Sequence, residues 1–322
     1  MSLVTRLTER LGITHPVLLA PMGAISGGAL AGAVTAAGGL GIIGCGYGDD
    51  EWIERQFAAA GNHRVGCGFI TWSLARRPEL LGQALAHRPA VVMLSFGDPR
   101  PFASEIKSSG ALLICQVQTL RHVDEALDVS ADIIVAQGSE AGGHGAVRAT
   151  LPFVPEVVDR VAGRAIVVAA GGIANGRGLA AALMLGADGA LVGTRFYAST
   201  ESLAHPKAKA RLVAASGEDT LRTSIFDIAR GIAWPDDFSG RALRNDFVSR
   251  WHGAEGALEA AQAKEMLRYQ AAATTGDFDT AVIFSGEAAR LVDRVETAAA
   301  ILERMVADAQ SALRSGAARI TA

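Results

Sequence analysis

Side chains that could do chemistry stand among glycines at the ends of short apolar runs in this 322-residue chain. The most prominent segment is Gln137-Gly138-Ser139-Glu140-Ala141-Gly142-Gly143-His144-Gly145, which places a single histidine in a glycine-rich loop. An imidazole can accept or donate a proton near neutral pH. We therefore predict that His144 is the catalytic residue. The alternative is that the loop only binds a ligand.

Glycines also close two later apolar runs. Gly171-Gly172 precedes a helix expected to begin near Asn175, and Gly193-Thr194 offers two backbone amides and a hydroxyl. Glycine lets backbone N–H groups approach an anion, and a helix N-terminus adds a favourable dipole. The two segments predict a phosphate-binding site, with a pair of tight turns as the alternative.

Eight short, continuous apolar runs are expected to position these residues as strands. Such runs are typical of parallel strands buried on both faces, and helical stretches such as Pro78–Ala86 and Leu120–Leu127 lie between them. This alternation predicts a (β/α)8 TIM barrel with its active site at the C-terminal ends of the strands. An open, doubly wound sheet is the alternative, although it usually has fewer strands. The eight runs are Pro16–Met22, Gly39–Cys45, Arg64–Ile70, Ala90–Phe96, Ala111–Val117, Asp132–Gln137, Ala165–Gly171 and Gly189–Thr194.

The character of the sequence changes after Thr194. Residues 203–284 are more charged and richer in aromatic side chains, which predicts an inserted, mainly helical subdomain. The barrel would then comprise residues 1–202 and 285–322. Glu287–Arg314 is expected to form one long closing helix, because apolar residues recur there at helical spacing. These residues are Leu291, Val295, Ala298, Leu302, Met305 and Ala309.

Charge and cysteine content exclude several classes of protein. The net charge is −3 and no cluster of basic residues is present, which argues against a nucleic-acid partner. Cys45, Cys67 and Cys115 each fall inside an apolar run, so we expect reduced, buried thiols and no metal site.

Two further features of the first fifty residues invite a different interpretation. The span from Pro16 to Gly48 carries no charge, but prolines and glycines interrupt it, so strand, loop, helix and strand are favoured over a membrane helix. Without a signal peptide, a cytoplasmic protein is expected. Gly39–Gly44 has the spacing of a dinucleotide fingerprint, yet it lies within a predicted strand and does not open a helix, which argues against that function.

Taken together, the motifs resemble those of the nitronate monooxygenase family, formerly called 2-nitropropane dioxygenases. The resemblance covers essentially the whole chain. It implies an FMN-containing TIM barrel with an inserted helical substrate domain. Members of the family oxidise alkyl nitronates with dioxygen to a carbonyl compound and nitrite. The segments that carry the resemblance are Gln137–His144, Ala170–Gly178, Leu185–Gly189 and Gly193–Phe196, with Pro21-Met22 and Ser95-Phe96-Gly97 in support.

The resemblance also implies roles for individual residues. His144 would lie beside the flavin, where it binds the nitro group or takes the α-proton of a neutral nitroalkane. Backbone at Ala20-Pro21-Met22 would follow the isoalloxazine ring, and Ser285-Gly286 resembles the turn that returns the chain to the barrel. The residues expected to bind FMN are Ala20, Pro21, Met22, Gly68, Gln116, Gln137, Gly142, Gly143, Gly171, Gly172, Gly193 and Thr194.

Two positions depart from the family pattern. Gly68 stands where many relatives have an Asn, and Gly23 stands where relatives often have a larger residue. Both changes predict a wider pocket.

Three functions are consistent with these residues. The first is nitronate oxidation, with a small-molecule substrate and dioxygen as partners. The second is an NAD(P)H-dependent FMN reductase of quinones or enoyl thioesters, since the same superfamily resembles enoyl-acyl-carrier-protein reductases. The third is a sugar-phosphate barrel enzyme or a flavin-free binding protein. Association into a homodimer is left open.

Overall fold

All eight apolar runs form parallel strands in a computed structural model that describes residues 3–320. Three further strands form a separate antiparallel sheet. The predicted TIM barrel is therefore confirmed. The strands of the barrel, in chain order, are β1 (Val17–Leu19), β2 (Ile42–Gly44), β3 (Gly66–Ile70), β4 (Val91–Ser95), β5 (Leu112–Val117), β6 (Ile133–Gln137), β8 (Ile166–Ala170) and β9 (Gly189–Val192); those of the second sheet are β7 (Gly143–Gly145), β10 (Thr220–Thr223) and β11 (Ser239–Leu243).

The barrel closes between its first and second strands. The eight-stranded sheet runs in the order β1-β9-β8-β6-β5-β4-β3-β2, so β1 and β2 are its two ends. A parallel bridge joins Leu18 to Leu40 across this gap. The amide of Leu19 donates to the carbonyl of Leu40 at 2.9 Å, and the amide of Leu40 donates to the carbonyl of Val17 at 3.1 Å.

Side chains along each barrel strand point alternately into and out of the barrel. Val91 and Met93 of β4 belong to the interior cluster, whereas Val92 and Leu94 pack outward against the helices. This alternation is what a closed barrel requires of a strand buried on both faces.

The first helix closes one end of the barrel. Leu7, on that helix, belongs to the interior cluster, and its Cδ2 lies 2.5 Å from the position that a Cβ on Gly189 would take. Because Gly189 is the first residue of β9, the helix covers the N-terminal ends of the strands. The opposite end, where parallel strands of a barrel carry their active site, stays open.

The described part of the chain contains sixteen α-helices, most of which surround the barrel. Asn175 caps α9 by accepting hydrogen bonds from the amides of Arg177 and Gly178, so the predicted helix start is confirmed. The helices are α1 (Arg6–Leu11), α2 (Gly28–Ala36), α3 (Asp50–Ala59), α4 (Thr71–Leu74), α5 (Glu79–Ala86), α6 (Arg100–Ser108), α7 (Leu120–Asp128), α8 (Thr150–Val161), α9 (Gly176–Met184), α10 (Thr194–Tyr197), α11 (Pro206–Ala214), α12 (Ile225–Arg230), α13 (Asp246–Trp251), α14 (Glu255–Ala260), α15 (Gln262–Thr275) and α16 (Ala298–Ala317).

The glycines that mimic a dinucleotide fingerprint serve close packing. A Cβ on Gly41 would lie 1.9 Å from the carbonyl oxygen of Ala31 in α2, and a Cβ on Gly44 would lie 2.5 Å from that of Met22. As predicted, these glycines lie before and within a strand that follows a helix. Their role is to bring backbone segments into contact.

Residues 203–284 are mainly helical but also contain a strand pair that sequence analysis did not predict. They contribute α11 to α15 together with β10 and β11. β11 pairs antiparallel with β7, and His144 lies opposite Gly240 in that pairing. His144 therefore lies on a short strand and not in a free loop. Through that strand, residues 203–284 pair with the segment that follows β6.

The prediction of one helix over Glu287–Arg314 is wrong. A short 3-10 helix covers Glu287–Leu291, and α16 begins only at Ala298, with the Thr297 hydroxyl accepting from the amide of Ala300. Between the two, the carbonyl of Glu296 accepts from the amide of Thr200, which holds the backbone in an extended bridge. Leu291 and Val295 are consequently 40% and 41% exposed, whereas the apolar stripe is buried from Ala298 onward.

Two observations bear on the excluded classes of protein. The three cysteines are free and buried, as predicted. Within residues 3–320, no helix is both long and apolar enough to cross a membrane.

Candidate active site

A cavity of about 350 Å³ lies at the open, C-terminal end of the barrel. The last residues of several strands line it, among them Ile70 of β3, Ser95 of β4 and Ala170 of β8. The structure brings all thirteen residues of the predicted site together around this single space. These are Ala20, Pro21, Met22, Gly68, Gln116, Gln137, Gly142, Gly143, His144, Gly171, Gly172, Gly193 and Thr194.

Backbone amides form an anion-binding surface at one end of the cavity. Within residues 3–320, the N–H groups of Gly172, Ile173 and Thr194 donate no hydrogen bond, although all three residues line the cavity. Gly172 is exposed and Ile173 and Thr194 are half-buried, so their free amides can donate to a ligand in the cavity. The Thr194 hydroxyl accepts from the amide of Gly286 at 3.0 Å, which leaves its proton available to a ligand.

Glycine is required where the segments around this surface meet. A Cβ on Gly171 would lie 2.9 Å from the hydroxyl of Thr150 and 3.0 Å from the carbonyl oxygen of Gly138. A Cβ on Gly142 would lie 2.6 Å from the amide of Gly286. Gly171 and Gly172 also have φ of 104° and 73°, which favour glycine. The residues present therefore fit a cofactor phosphate held by backbone amides.

Gly68 and Gly23 line the cavity and lie in close contact with neighbouring segments. A Cβ on Gly68 would lie 2.5 Å from the ring of Pro21, so the proline already fills the space in front of β3. A Cβ on Gly23 would lie 3.3 Å from the Cα of Gly46. Both glycines allow backbone segments to approach one another.

A glutamine network connects the cavity wall to the strand that carries His144. The Gln137 side chain donates from Nε2 to the carbonyl of His144 at 3.0 Å. Its Oε1 accepts from Gln116 at 3.2 Å and from Gln118 at 2.9 Å. Gln118 is 1% exposed and was not predicted. The network fixes the position of β7 relative to β5 and β6.

His144 is buried and paired with an acid. It is 8% exposed, and its Nε2 lies 2.8 Å from Oδ2 of Asp227. Burial lowers the pKa of His144 below its ordinary 6.5, and the Asp227 carboxylate opposes this shift only in part. The imidazole is therefore neutral at neutral pH and can act as a base.

Asp227 belongs to a hydrogen-bond network that sequence analysis missed. Its Oδ1 accepts from Arg230 at 2.5 Å, and Arg230 also donates to the hydroxyl of Tyr47 at 3.3 Å. Arg230 and Tyr47 line the cavity. The i and i+3 spacing of Asp227 and Arg230 was the only signal available, and such pairs are common on helix surfaces.

Aromatic rings form the wall next to His144. Trp234 stacks on the imidazole, and Phe96 and Phe284 lie with ring centroids 6.5 Å and 5.5 Å from it. Phe96 also contacts Trp234 edge-on at 5.2 Å. The wall favours an apolar or planar ligand next to the base. Among the described residues, no group of three or more histidines, cysteines, aspartates or glutamates could hold a metal ion.

Comparisons with known proteins agree with this geometry. The family model for nitronate monooxygenase matches residues 4–61 and 77–308. Nitronate monooxygenase npaC from Metarhizium robertsii is 34% identical, over 94% of this chain and 93% of that protein.

Two further proteins are similar to almost the whole of this chain. A Mycobacterium tuberculosis protein named (3aS,4S,5R,7aS)-5-hydroxy-7a-methyl-1-oxo-octahydro-1H-indene-4-carboxyl-CoA dehydrogenase is 29% identical, over 99% of this chain and 100% of that protein. The structure of nitroalkane oxidase from Streptomyces ansochromogenes superposes with a TM-score of 0.79 at 26% identity, over 97% of this chain and 99% of that one. This chain belongs to the nitronate monooxygenase family and is a flavin-dependent oxidoreductase.

Proposed function

We propose that this protein binds FMN in the barrel cavity and oxidises alkyl nitronates with dioxygen, giving a carbonyl compound and nitrite. The observation that carries the proposal is a buried His144, paired with Asp227, in the same cavity as three free backbone amides. The amides suit the phosphate of a cofactor, and the imidazole suits the nitro group of a substrate.

The proposal assigns FMN to particular parts of the cavity. Its phosphate would accept hydrogen bonds from the free amides of Gly172, Ile173 and Thr194. Its ring would lie along the backbone at Ala20-Pro21-Met22, and Gln116 would contact its polar edge. When bound, the flavin supplies the redox chemistry by taking electrons from the substrate and passing them to dioxygen.

His144 and the aromatic side chains next to it would bind the substrate. Acting as an acid or a base, the imidazole binds the nitro group of a nitronate or removes the α-proton of a neutral nitroalkane. Trp234 and Phe284 come from residues 203–284, so this segment would be the substrate subdomain. Residues 1–202 and 285–322 would form the FMN barrel.

A second function is favoured by one specific relative. The mycobacterial protein that matches 99% of this chain is a dehydrogenase of an acyl-CoA thioester. The same site could therefore reduce or oxidise a thioester or a quinone, with NAD(P)H as the electron donor for a reductase. The apolar wall around His144 is compatible with either kind of substrate.

Product analysis tests the proposed function. Purified holoprotein is mixed with ethyl nitronate or propyl nitronate in air, and nitrite, aldehyde and oxygen consumption are measured together. We expect nitrite and aldehyde to appear in equal amounts without NADH or NADPH. Absence of nitrite, combined with NAD(P)H-dependent reduction of a quinone or an enoyl thioester, would support the second function and overturn the first.

A further inference from the structure

We propose that Asp227 is a positioning residue that holds the His144 imidazole with its proton on Nε2, so that Nδ1 is the basic atom offered to the cavity. This inference rests on the proposed function for its chemical meaning. Its structural content, the tautomer of one histidine, can be tested without any turnover.

The first support is the geometry of the pair. His144 Nε2 lies 2.8 Å from Asp227 Oδ2, and both side chains are almost fully buried, at 7% and 6% exposure. A carboxylate can only accept a hydrogen bond, so a neutral imidazole at this distance must carry its proton on Nε2. Because Asp227 fixes the proton on Nε2, Nδ1 of the neutral ring carries no proton.

The second support is the freedom of Nδ1. Within residues 3–320, no hydrogen bond reaches Nδ1 of His144. The atom has no hydrogen-bond partner, yet it is not one of the buried polar atoms that lack one. Nδ1 of His144 is therefore accessible. His144 lines the cavity, and Nε2 is engaged by Asp227, so Nδ1 is the ring nitrogen left for a ligand.

The third support is that Asp227 is itself held. Its second oxygen, Oδ1, accepts from Arg230 at 2.5 Å, and Arg230 is fixed by a further bond from its Nε to the carbonyl of Phe226 at 3.2 Å. With one oxygen on Arg230 and the other on His144, the carboxylate cannot rotate without losing a buried hydrogen bond. Such a loss leaves a polar group without its partner, which favours the observed orientation.

The ring plane of His144 is fixed as well. Trp234 lies on one face of the imidazole at 3.5 Å between centroids, and its indole N–H donates to the Tyr47 hydroxyl at 2.9 Å. The imidazole is therefore constrained in rotation by the stack and in tautomer by Asp227. This is how an oriented base is built in other enzymes, where a third group aligns the histidine.

The arrangement matches the charge changes of proton abstraction. When a neutral nitroalkane loses its α-proton to Nδ1, the C–H electron pair forms the C=N bond of the nitronate and an N=O pair moves onto oxygen. The imidazole becomes positive beside Asp227, and the nitronate becomes negative. Asp227, Arg230, the imidazole and the substrate have a net charge of zero before and after the step.

Two substrates of the same enzyme should depend differently on the tautomer of His144. A neutral nitroalkane needs the basic Nδ1, whereas a preformed nitronate has already lost its proton. In Asp227→Asn, Arg230 holds the amide oxygen that replaces Oδ1, so the amide NH2 faces Nε2 and donates to it. The tautomer then shifts toward Nδ1–H, which can bind an anion but cannot take a proton.

The direct test is nitrogen-15 NMR of the holoprotein labelled at histidine, at a pH where His144 is neutral. Asp227→Asn is compared with the unchanged protein and with Asp236→Asn, and His144→Gln assigns the signal. Asp236 is an exposed acid in the segment that carries Trp234, so its variant makes the same chemical change away from the imidazole. We expect Nε2–H in the unchanged protein and in Asp236→Asn, and a shift to Nδ1–H in Asp227→Asn. Nδ1–H in the unchanged protein, or the same tautomer in all three, would overturn the inference.

Kinetics provide the second readout. In Asp227→Asn, kcat/KM for nitroethane should fall by about 10²-fold or more, the scale seen when a histidine base takes the wrong tautomer, while kcat/KM for ethyl nitronate changes less than about fivefold. Equal losses on both substrates would show a merely structural role. If the protein oxidises no nitro compound at all, the proposed function fails, and the NMR result still decides the inference.

Discussion

Trp234 lies flat against the imidazole of His144, with 3.5 Å between ring centroids and 4° between ring planes. The tryptophan lies within residues 203–284, and the histidine lies on the short strand that follows barrel strand β6. The contact therefore couples residues 203–284 to the residue that we propose as the base. It also closes one face of the ring, so a substrate must approach His144 from its edge or its other face.

Trp234→Ala should raise KM for ethyl nitronate about three- to tenfold while flavin content stays unchanged. An aromatic contact of this kind contributes about 0.5–1.5 kcal/mol beyond the area that it buries, and the variant removes it next to the ligand space. Trp234→Phe should recover most of the loss. Steady-state kinetics on the flavin-loaded proteins provide the measurement. Equal KM values for Trp234→Ala and the unchanged protein would show that the stack plays no part in substrate binding.

His144→Ala should retain flavin and lose turnover. The residue contributes no free amide to the anion-binding surface, so FMN content per chain is expected to stay the same. Turnover of nitroethane, which needs its α-proton removed, should fall by about 10²-fold or more, the usual contribution of a positioned acid or base. His63→Ala, which changes an exposed histidine, is the matched control. Turnover within twofold of the unchanged protein would remove His144 from the mechanism.

Gly172→Val should weaken the retention of FMN. The residue has φ of 73°, and its amide is one of the free donors, so a branched side chain disturbs the backbone that would hold the phosphate. Gly163→Val is a suitable control, because Gly163 has φ of 79° and nothing lies within 4 Å of its Cβ position. Flavin absorbance per chain after gel filtration measures retention. Full occupancy in Gly172→Val, with the control also full, would contradict the phosphate assignment.

The pH dependence should reflect the lowered pKa of His144. Burial lowers this pKa below 6.5, and the groups that face the ring are Asp227, which raises the pKa, and Arg230 and Arg222, which lower it further. A base works only when unprotonated, so kcat/KM for nitroethane should be constant at neutral pH. It should fall as the pH drops through the pKa of His144, at a point below 6.5. Ethyl nitronate, which needs no proton removed, should show no such decrease. An acidic limb centred above 6.5 would contradict this account.

Glu296→Ala should lower the free energy of unfolding by about 3 kcal/mol. Arg195 is 2% exposed, next to Thr194, and Glu296 Oε2 lies 2.6 Å from its guanidinium. Glu296 also pairs with Arg304, so the variant leaves one buried charge without its partner, a change that typically costs about 3–5 kcal/mol. Urea denaturation followed by circular dichroism measures the effect. Glu51→Ala, which breaks an exposed pair with Arg55, should cost less than about 1 kcal/mol. Similar losses in the two variants would contradict the structural role of Glu296.

The barrel could be predicted because its signal is local. Each strand is a continuous apolar run, and runs such as Ala165–Gly171 end in glycines that need a close approach or a positive φ. The glycines of the anion-binding surface and His144 itself follow those strand ends. Because the C-terminal ends of all barrel strands lie at the same end of the barrel, these residues come together there.

The partners of His144 could not be predicted, because they depend on how a distant segment folds. Asp227 is 83 residues away along the chain, and Trp234 follows a short helix whose sequence carries no barrel signal. Their positions come from the pairing of β11 with β7, an antiparallel contact between residues that neither propensity nor periodicity connects. The break before Ala298 was missed for a similar reason, because the Glu296 backbone bonds to Thr200 and not along a helix.

Anaerobic reduction of the bound flavin tests the central claim most directly. Purified, flavin-loaded protein is mixed in a stopped-flow instrument with ethyl nitronate, with NADH or with NADPH, and flavin absorbance is followed in the absence of oxygen. The account predicts rapid bleaching by ethyl nitronate, slow or no bleaching by either nicotinamide, and recovery of absorbance when oxygen is admitted. Rapid bleaching by NADH or NADPH, with no response to the nitronate, would contradict it.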